Sequence, residues 1–248
     1  MRRLLHKLLL ASLALTHVAA SCRYSPPPMI SHGQGADALG ARRMAIGMEL
    51  GWGTSASWWE AQTVADPDVN SALVGAGRLR LGVAQDLDIG LVGGMGPDRA
   101  FVVGPELKWR FAHLRPEDVE GGPAFHAALI SGIGIGAADH RYRAAEGEHA
   151  PRYVFVAPYT GVLASGGIRA VQMFSGLRVA TSESLGNEIT DLTIYPVLAF
   201  GVLLHPHRAW TVWAEGDLAS GITTRDIDDS AIIVYPSVGI TLTLDDMW

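Results

Sequence analysis

The chain has 248 residues, 48% of them hydrophobic, with 29 glycines, one cysteine and a formal charge of −6. That length holds one large all-β domain or two small domains, and a single cysteine excludes an intramolecular disulfide. The acidic balance with dispersed basic residues argues against nucleic acid as a partner. No apolar run beyond the N-terminal segment is long enough for a helical membrane span, which needs about 20 residues.

The N-terminus has three parts. Arg2, Arg3 and Lys7 form a positive region, Leu8 to Val18 a short apolar region, and Ala19-Ala20-Ser21 the small residues that the shallow pocket of a signal peptidase requires. Residues 1–21 therefore read as a secretion signal. Its removal takes three basic residues and no acid, leaving 16 basic against 25 acidic residues, or −9. The run Ala19-Ala20-Ser21-Cys22 resembles a bacterial lipobox, with Ala at position −3 where Leu is commonest. That resemblance implies a diacylglyceryl group on Cys22, delivery by lipoprotein export machinery, and, because Arg23 and not Asp follows, sorting to the outer membrane. The alternative is an ordinary signal cut nearby, with Cys22 incidental. Residues 22–40, with Ser25, Pro26, Pro27, Pro28, Gly33 and Gly35, read as a flexible tether. Residues 41–248 form the remaining domain.

That domain alternates with period 2. Met44, Ile46, Met48, Leu50 and Trp52 oppose Ala45, Gly47, Glu49 and Gly51. Leu79, Leu81 and Val83 oppose Arg78, Arg80 and Gly82; after a turn at Ala84-Gln85-Asp86, Leu87, Ile89 and Leu91 oppose Asp88 and Gly90. The clearest strand is 101–111, where Phe101, Val103, Pro105, Leu107, Trp109 and Phe111 oppose Val102, Gly104, Glu106, Lys108 and Arg110. A helix would scatter those charges around its circumference. Segments near 123–137 and 152–164 are blurred by Gly and Ala. Val171, Met173, Leu177 and Val179 then oppose Gln172, Gly176 and Arg178, and Leu198, Phe200, Val202 and Leu204 oppose Tyr195 and Gly201. Trp210, Val212, Ala214 and Leu218 oppose Trp213, Glu215 and Asp217; Ile232, Val234, Val238 and Ile240 oppose Tyr235, Ser237 and Thr241. The pattern predicts about ten strands of roughly 9–14 residues, long for a globular sheet and suited to a tilted membrane crossing.

With the tether in the periplasm, the periplasmic turns are Ala84-Gln85-Asp86, Ser165-Gly166-Gly167 and His205-Pro206-His207. The longer connections near 53–71, 138–151, 182–190 and 222–230 are external, as in outer-membrane barrels. Gly96-Pro97-Asp98-Arg99 is short for an outer loop, and 113–122 is long for a periplasmic turn. Pro105, Pro158, Pro196 and Pro236 recur at hairpin spacing. Proline cannot donate to a ladder, and each is expected to mark a bulge near the outer rim.

The runs Pro158-Tyr159-Thr160-Gly161-Val162 and Pro236-Ser237-Val238-Gly239-Ile240, with the end Leu242-Thr243-Leu244-Asp245-Asp246-Met247-Trp248, resemble the small outer-membrane β-barrel superfamily that includes OmpA-like and OmpW-like barrels. The resemblance covers about 42–248. It implies an antiparallel up-and-down transmembrane β-barrel, outer-membrane lipids as surroundings, and Trp248 as the aromatic terminus read by the barrel-insertion machinery. Asp245 and Asp246 interrupt the usual alternation of that last strand.

The rival fold is a lipid-tethered soluble β-domain whose apolar face points inward, binding a small hydrophobic ligand. Its outer face would be rich in Lys, Glu, Thr and Ser, whereas the second face here is Gly, Ala and scattered charges. Those suit a narrow lumen, with Glu49, Asp88, Glu106, Glu215 and Asp217 available to pair with Arg78, Arg80, Lys108, Arg110 and Arg178. Arg80 and Asp88 are expected close together across their turn. Catalytic candidates are His126, His140, Ser131, Ser175 and Ser182, but there is no Gly-x-Ser-x-Gly elbow. His205 and His207 read as turn histidines, Gly132-Ile133-Gly134-Ile135-Gly136 as room inside a barrel, and Trp58-Trp59 as an interfacial girdle or loop packing. The expectation is a non-enzymatic barrel with a structural or surface role and no cofactor or metal. A narrow pore for small or apolar solutes is the alternative.

Overall fold

The computed structural model describes residues 33–57, 69–96, 100–114, 123–139, 152–168, 170–185, 192–223 and 231–245. Cys22, the signal segment, Trp58-Trp59, His140 and Trp248 lie outside the described residues.

The strands are β1 (Met44–Ser57), β2 (Val69–Ala84), β3 (Leu87–Met95), β4 (Phe101–Leu114), β5 (Ala124–Asp139), β6 (Arg152–Ile168), β7 (Val171–Leu185), β8 (Leu192–His207), β9 (Trp210–Thr223) and β10 (Ala231–Leu244). Each pairs antiparallel with its sequence neighbours, and β10 returns to β1 to close the barrel. Closure leaves no edge strand among them, so the ladder satisfies the strand backbone without water.

The period-2 pattern sorts cleanly to inside and outside. Along β4, residues 101, 103, 105, 107 and 109 are exposed and 102, 104, 106 and 108 are buried. Leu107, Trp109, Phe200 and Ile240 all face outward, while Lys108 is 1% exposed and Glu215 5%. Burial is thus reversed relative to a water-soluble protein, in which charges stay wet and aliphatic side chains are covered. The soluble alternative, with its apolar face converging on a core, is not the observed arrangement.

Three local expectations are corrected. First, β6 runs through Ser165-Gly166-Gly167 to Ile168, and β8 through His205-Pro206-His207, so both connections fall later than composition suggested. The chain turns at Arg208-Ala209, where the Ala209 N–H donates to His207 Nδ1 at 3.2 Å.

Second, the prolines make no bulges. Pro105, Pro158, Pro196 and Pro236 stay in register opposite Leu91, Ile133, Val179 and Gly216. Toward the next strand the pairing lapses and resumes unshifted, as from Val103↔Ile135 to Glu106↔Gly132. A missing N–H removes one rung without adding a residue. At the β4 lapse the backbones crowd, and a Cβ on Gly104 would run into the Ile133 carbonyl. The real register shifts lie at Gly82/Ala84, Arg110/Ala112 and Leu204/His207, all at the short-turn end.

Third, residues 33–40 are no free tether. Gln34 is 3% exposed and Ala36 0%, because this segment lies inside the barrel. It leaves the lumen at the short-turn end, where the Arg42 N–H donates to the Gly82 carbonyl at 2.9 Å and β1 begins.

Candidate functional site

Two-residue spacing puts Glu106 with Lys108, Arg78 with Arg80, and Glu215 with Asp217 on the lumen face of single strands. Ten strands then bring these pairs to one axis. Arg78 Nε lies 3.5 Å from Glu106 Oε1, Arg80 3.4 Å from Asp88 Oδ2, and Lys108 Nζ 3.6 Å from the same Asp88 oxygen. The Tyr159 hydroxyl donates to Glu106 Oε2 at 2.7 Å, and the Tyr235 hydroxyl to Glu49 Oε1 at 3.4 Å. The Arg178 guanidinium sits 5.2 Å from the Tyr159 ring centre, a cation–π distance. Glu49, Arg178, Glu215 and Asp217 are buried in the same belt. Charges removed from water are tolerated only when paired and hydrogen-bonded, and both signs are supplied here. Arg110 departs from the expected network. It turns to the mouth and holds Asp86 in the β2–β3 turn at 2.5 and 2.8 Å.

Residues 33–40 are clasped by this belt along their backbone. The Gly33 N–H donates to Glu215 Oε2 at 2.7 Å, and the Ala36 N–H to Ser165 Oγ at 3.1 Å. The Leu39 N–H is shared by both Asp88 oxygens at 3.0 and 3.2 Å. Lys108 donates to the carbonyls of Gly35 and Asp37, and Gln34 donates to Glu106 Oε1 at 2.9 Å. The Asp37 carboxylate meets His126 Nε2 at 2.7 Å and Gln172 Nε2 at 3.2 Å. Burial works against that carboxylate, but the bonds from His126 and Gln172 and the nearby Lys108 charge outweigh it and hold its pKa below the ordinary value. An extended peptide needs donors and acceptors along its backbone when it leaves water, and the belt supplies them.

The catalytic candidates do not assemble. His126 stacks on His113 with ring centres 4.7 Å apart, and its Nδ1 has no hydrogen-bond partner among the described residues. Ser165, opposite His126 in register, is already bound by Ala36. The Ser131 hydroxyl donates to the Tyr159 carbonyl at 3.3 Å, and Ser175 faces outward. His205 Nδ1 pairs with Thr211 Oγ1 at 3.0 Å. His113, His126, His205, Arg43, Arg110 and Arg208 edge a recess of about 650 Å³ at the short-turn mouth. Among the described residues no group of three His, Cys, Asp or Glu side chains is placed to hold a metal.

Sequence reading placed Val102, Tyr195 and Tyr235 on the inward face but did not gather them into an apolar upper lumen. In the strand halves nearest the long loops the inward residues include large apolar side chains set among alanines and glycines. Val74, Val102, Phe155, Tyr195, Ile233 and Tyr235 are each at most 5% exposed. A signal was available. Pro158, Pro196 and Pro236 face outward, so the tyrosine beside each must face inward.

No family model and no curated protein matches the chain. Among solved structures, the fold is similar to the outer membrane protease OmpT from Escherichia coli, at 9% identity and a TM-score of 0.41 over 82% of this chain and 97% of that one. It is also similar to Ail, the attachment invasion locus protein of Yersinia pestis, at 13% identity and a TM-score of 0.31 over 82% of this chain and 99% of that one. These likenesses concern the fold alone: this chain is a closed, ten-stranded, antiparallel β-barrel.

Proposed function

We propose that this chain is an outer-membrane β-barrel that acts through its anchorage and its loops, with a filled lumen and no catalytic step. The observation that carries the reading is the reversal of burial, with aliphatic and aromatic side chains outside and paired charges within. A continuous apolar exterior is far larger than the patches a soluble monomer exposes, and strands of 9 to 17 residues have the length of tilted bilayer crossings. Peptide 33–40 occupies the lower lumen and apolar side chains crowd the upper half, which supports a barrel without an open aqueous path. Lipid attachment at Cys22, recognition of Trp248 by insertion machinery and delivery by lipoprotein export belong to the same proposal. It involves no cofactor.

Three measurements test it. Purified protein in detergent should migrate differently on a gel before and after boiling; an unchanged band argues against a stable barrel. In planar bilayers the folded protein should be electrically silent. Steady conductance steps from the native chain would favour a narrow pore instead. Mass spectrometry of the N-terminal peptide should show diacylglyceryl and acyl additions on Cys22; an unmodified thiol removes the anchor and leaves the barrel.

A further inference from the structure

The recess at the short-turn mouth differs in chemistry from the belt above it. Its volume of about 650 Å³ is that of a small-molecule site. The chain as a whole carries −6, yet three arginines and three histidines line this recess against two acids, Asp37 and Asp245. Closure of the barrel gathers them from strand ends around the ring. Pairing sets His113 of β4 opposite His126 of β5. Gln172 lies at the start of β7 and His205 near the end of β8. Arg43 precedes β1, and Arg208 lies in the β8–β9 turn. Asp37 and Ala38 of the luminal peptide complete the wall.

The polar groups here are only partly used. Arg43 Nε lies 3.0 Å from Asp245 Oδ1, and Arg110 holds Asp86. Arg208 is exposed and has no ion-pair partner among the described residues. His126 is 6% exposed and Gln172 8%. Each gives one side-chain atom to Asp37 and keeps the other, Nδ1 and Oε1, without a hydrogen-bond partner among the described residues. His205 Nε2 is in the same position. Buried polar groups in folded proteins are nearly always partnered, so three such atoms in the wall of one open recess point to a ligand.

The atoms left over define its chemistry. Both partnered arginines of the recess hold carboxylates, and Arg208 offers the same planar fork. The Gln172 oxygen can only accept, so the ligand must also bring a donor. A simple anion meets the first demand and not the second. A peptide C-terminus meets both, with a carboxylate and a backbone N–H close behind it. We propose that the recess binds the C-terminal carboxylate of a short peptide, with Arg208 as its anchor and Gln172 as acceptor for its N–H. His126 and His205 add ring nitrogens that donate or accept according to tautomer. The site depends on the barrel geometry alone. In the outer-membrane reading above, this mouth faces the periplasm, and periplasmic peptides are its source.

The test follows the ring signals of His113, His126 and His205 by NMR, in the full chain refolded in detergent with labelled histidine. The probes are N-acetyl-alanyl-alanine, its C-terminal amide and inorganic phosphate. The free acid should shift the three signals saturably. The amide and phosphate should each bind at least tenfold more weakly. Arg208→Ala should weaken the free acid at least tenfold. Arg42→Ala, at the same mouth but outside the recess, should leave its affinity unchanged. Gel mobility confirms that both variants fold. Equal binding of acid and amide, tighter binding of phosphate, or equal affinities in the two arginine variants each overturn the proposal. The assay involves no membrane, so its failure leaves the outer-membrane reading standing.

Discussion

Replacing Glu106 by alanine should destabilise the barrel by about 3–5 kcal/mol, the cost of removing one partner of a buried ion pair. Glu106 is 4% exposed and serves Arg78, Tyr159 and Gln34 at once. Its loss takes one anion from Arg78 and leaves the Tyr159 phenol and the Gln34 amide short of an acceptor inside the barrel. Denaturant titration of protein refolded into lipid vesicles reads the change. Glu106→Gln keeps the shape and the acceptor oxygen and should cost less. Combining Glu106→Leu with Arg78→Met should recover most of the loss, because a buried pair replaced by apolar groups is often neutral or better. A single alanine variant as stable as the parent would mean that the belt charges are hydrated, and the filled lumen would be wrong.

The next residue along β4 tests the other face. Leu107 is 42% exposed and lies midway along its strand. In a bilayer, Leu107→Arg should cost ~2–4 kcal/mol, falling to ~0–1 kcal/mol for a position near an interface such as Leu114. An exposed leucine on a soluble domain would change stability by no more than about 0.5 kcal/mol in either direction. The same vesicle titration decides between them. Equal and small effects at Leu107 and Leu114 would remove the exterior from the membrane. Adjacent residues on one strand thus report two different solvents, and the expected losses arise from opposite causes: a charge removed from the lumen, and a charge added to lipid.

The two faces of each strand were legible before any coordinates because side-chain direction in a β-strand depends only on residue parity. Phe101, Val103, Leu107 and Trp109 against Glu106 and Lys108 needed no tertiary information. The strand count was legible for the same reason, since alternation stops at each connection. Strand ends were less so. Gly166, Gly167 and Pro206 look like turn residues, yet they belong to strands that pairing carries further, because a closed ladder supplies partners that local propensity does not know about. The prolines misled in a similar way. Local reasoning asks where a lost N–H can be hidden, and a bulge is one answer. The barrel gives another, letting the rung lapse toward one neighbour while the other holds register.

Parity alone placed Glu106, Asp88 and Arg78 on the lumen face, but only closure of β10 on β1 determined which of them meet. Residues 33–40 were the hardest to read, because Gly, Ala and Asp in a short run carry the composition of a linker. Whether such a run is solvated or clasped depends on backbone partners drawn from distant strands, Glu215, Ser165 and Asp88 among them. Those partners are separated from it by 49 to 182 residues of chain, and no local pattern encodes contacts over such a span. Sequence by itself determined the architecture through a strict two-residue period. The tertiary structure decided what fills the lumen, because filling is a property of the closed ring and not of any one strand.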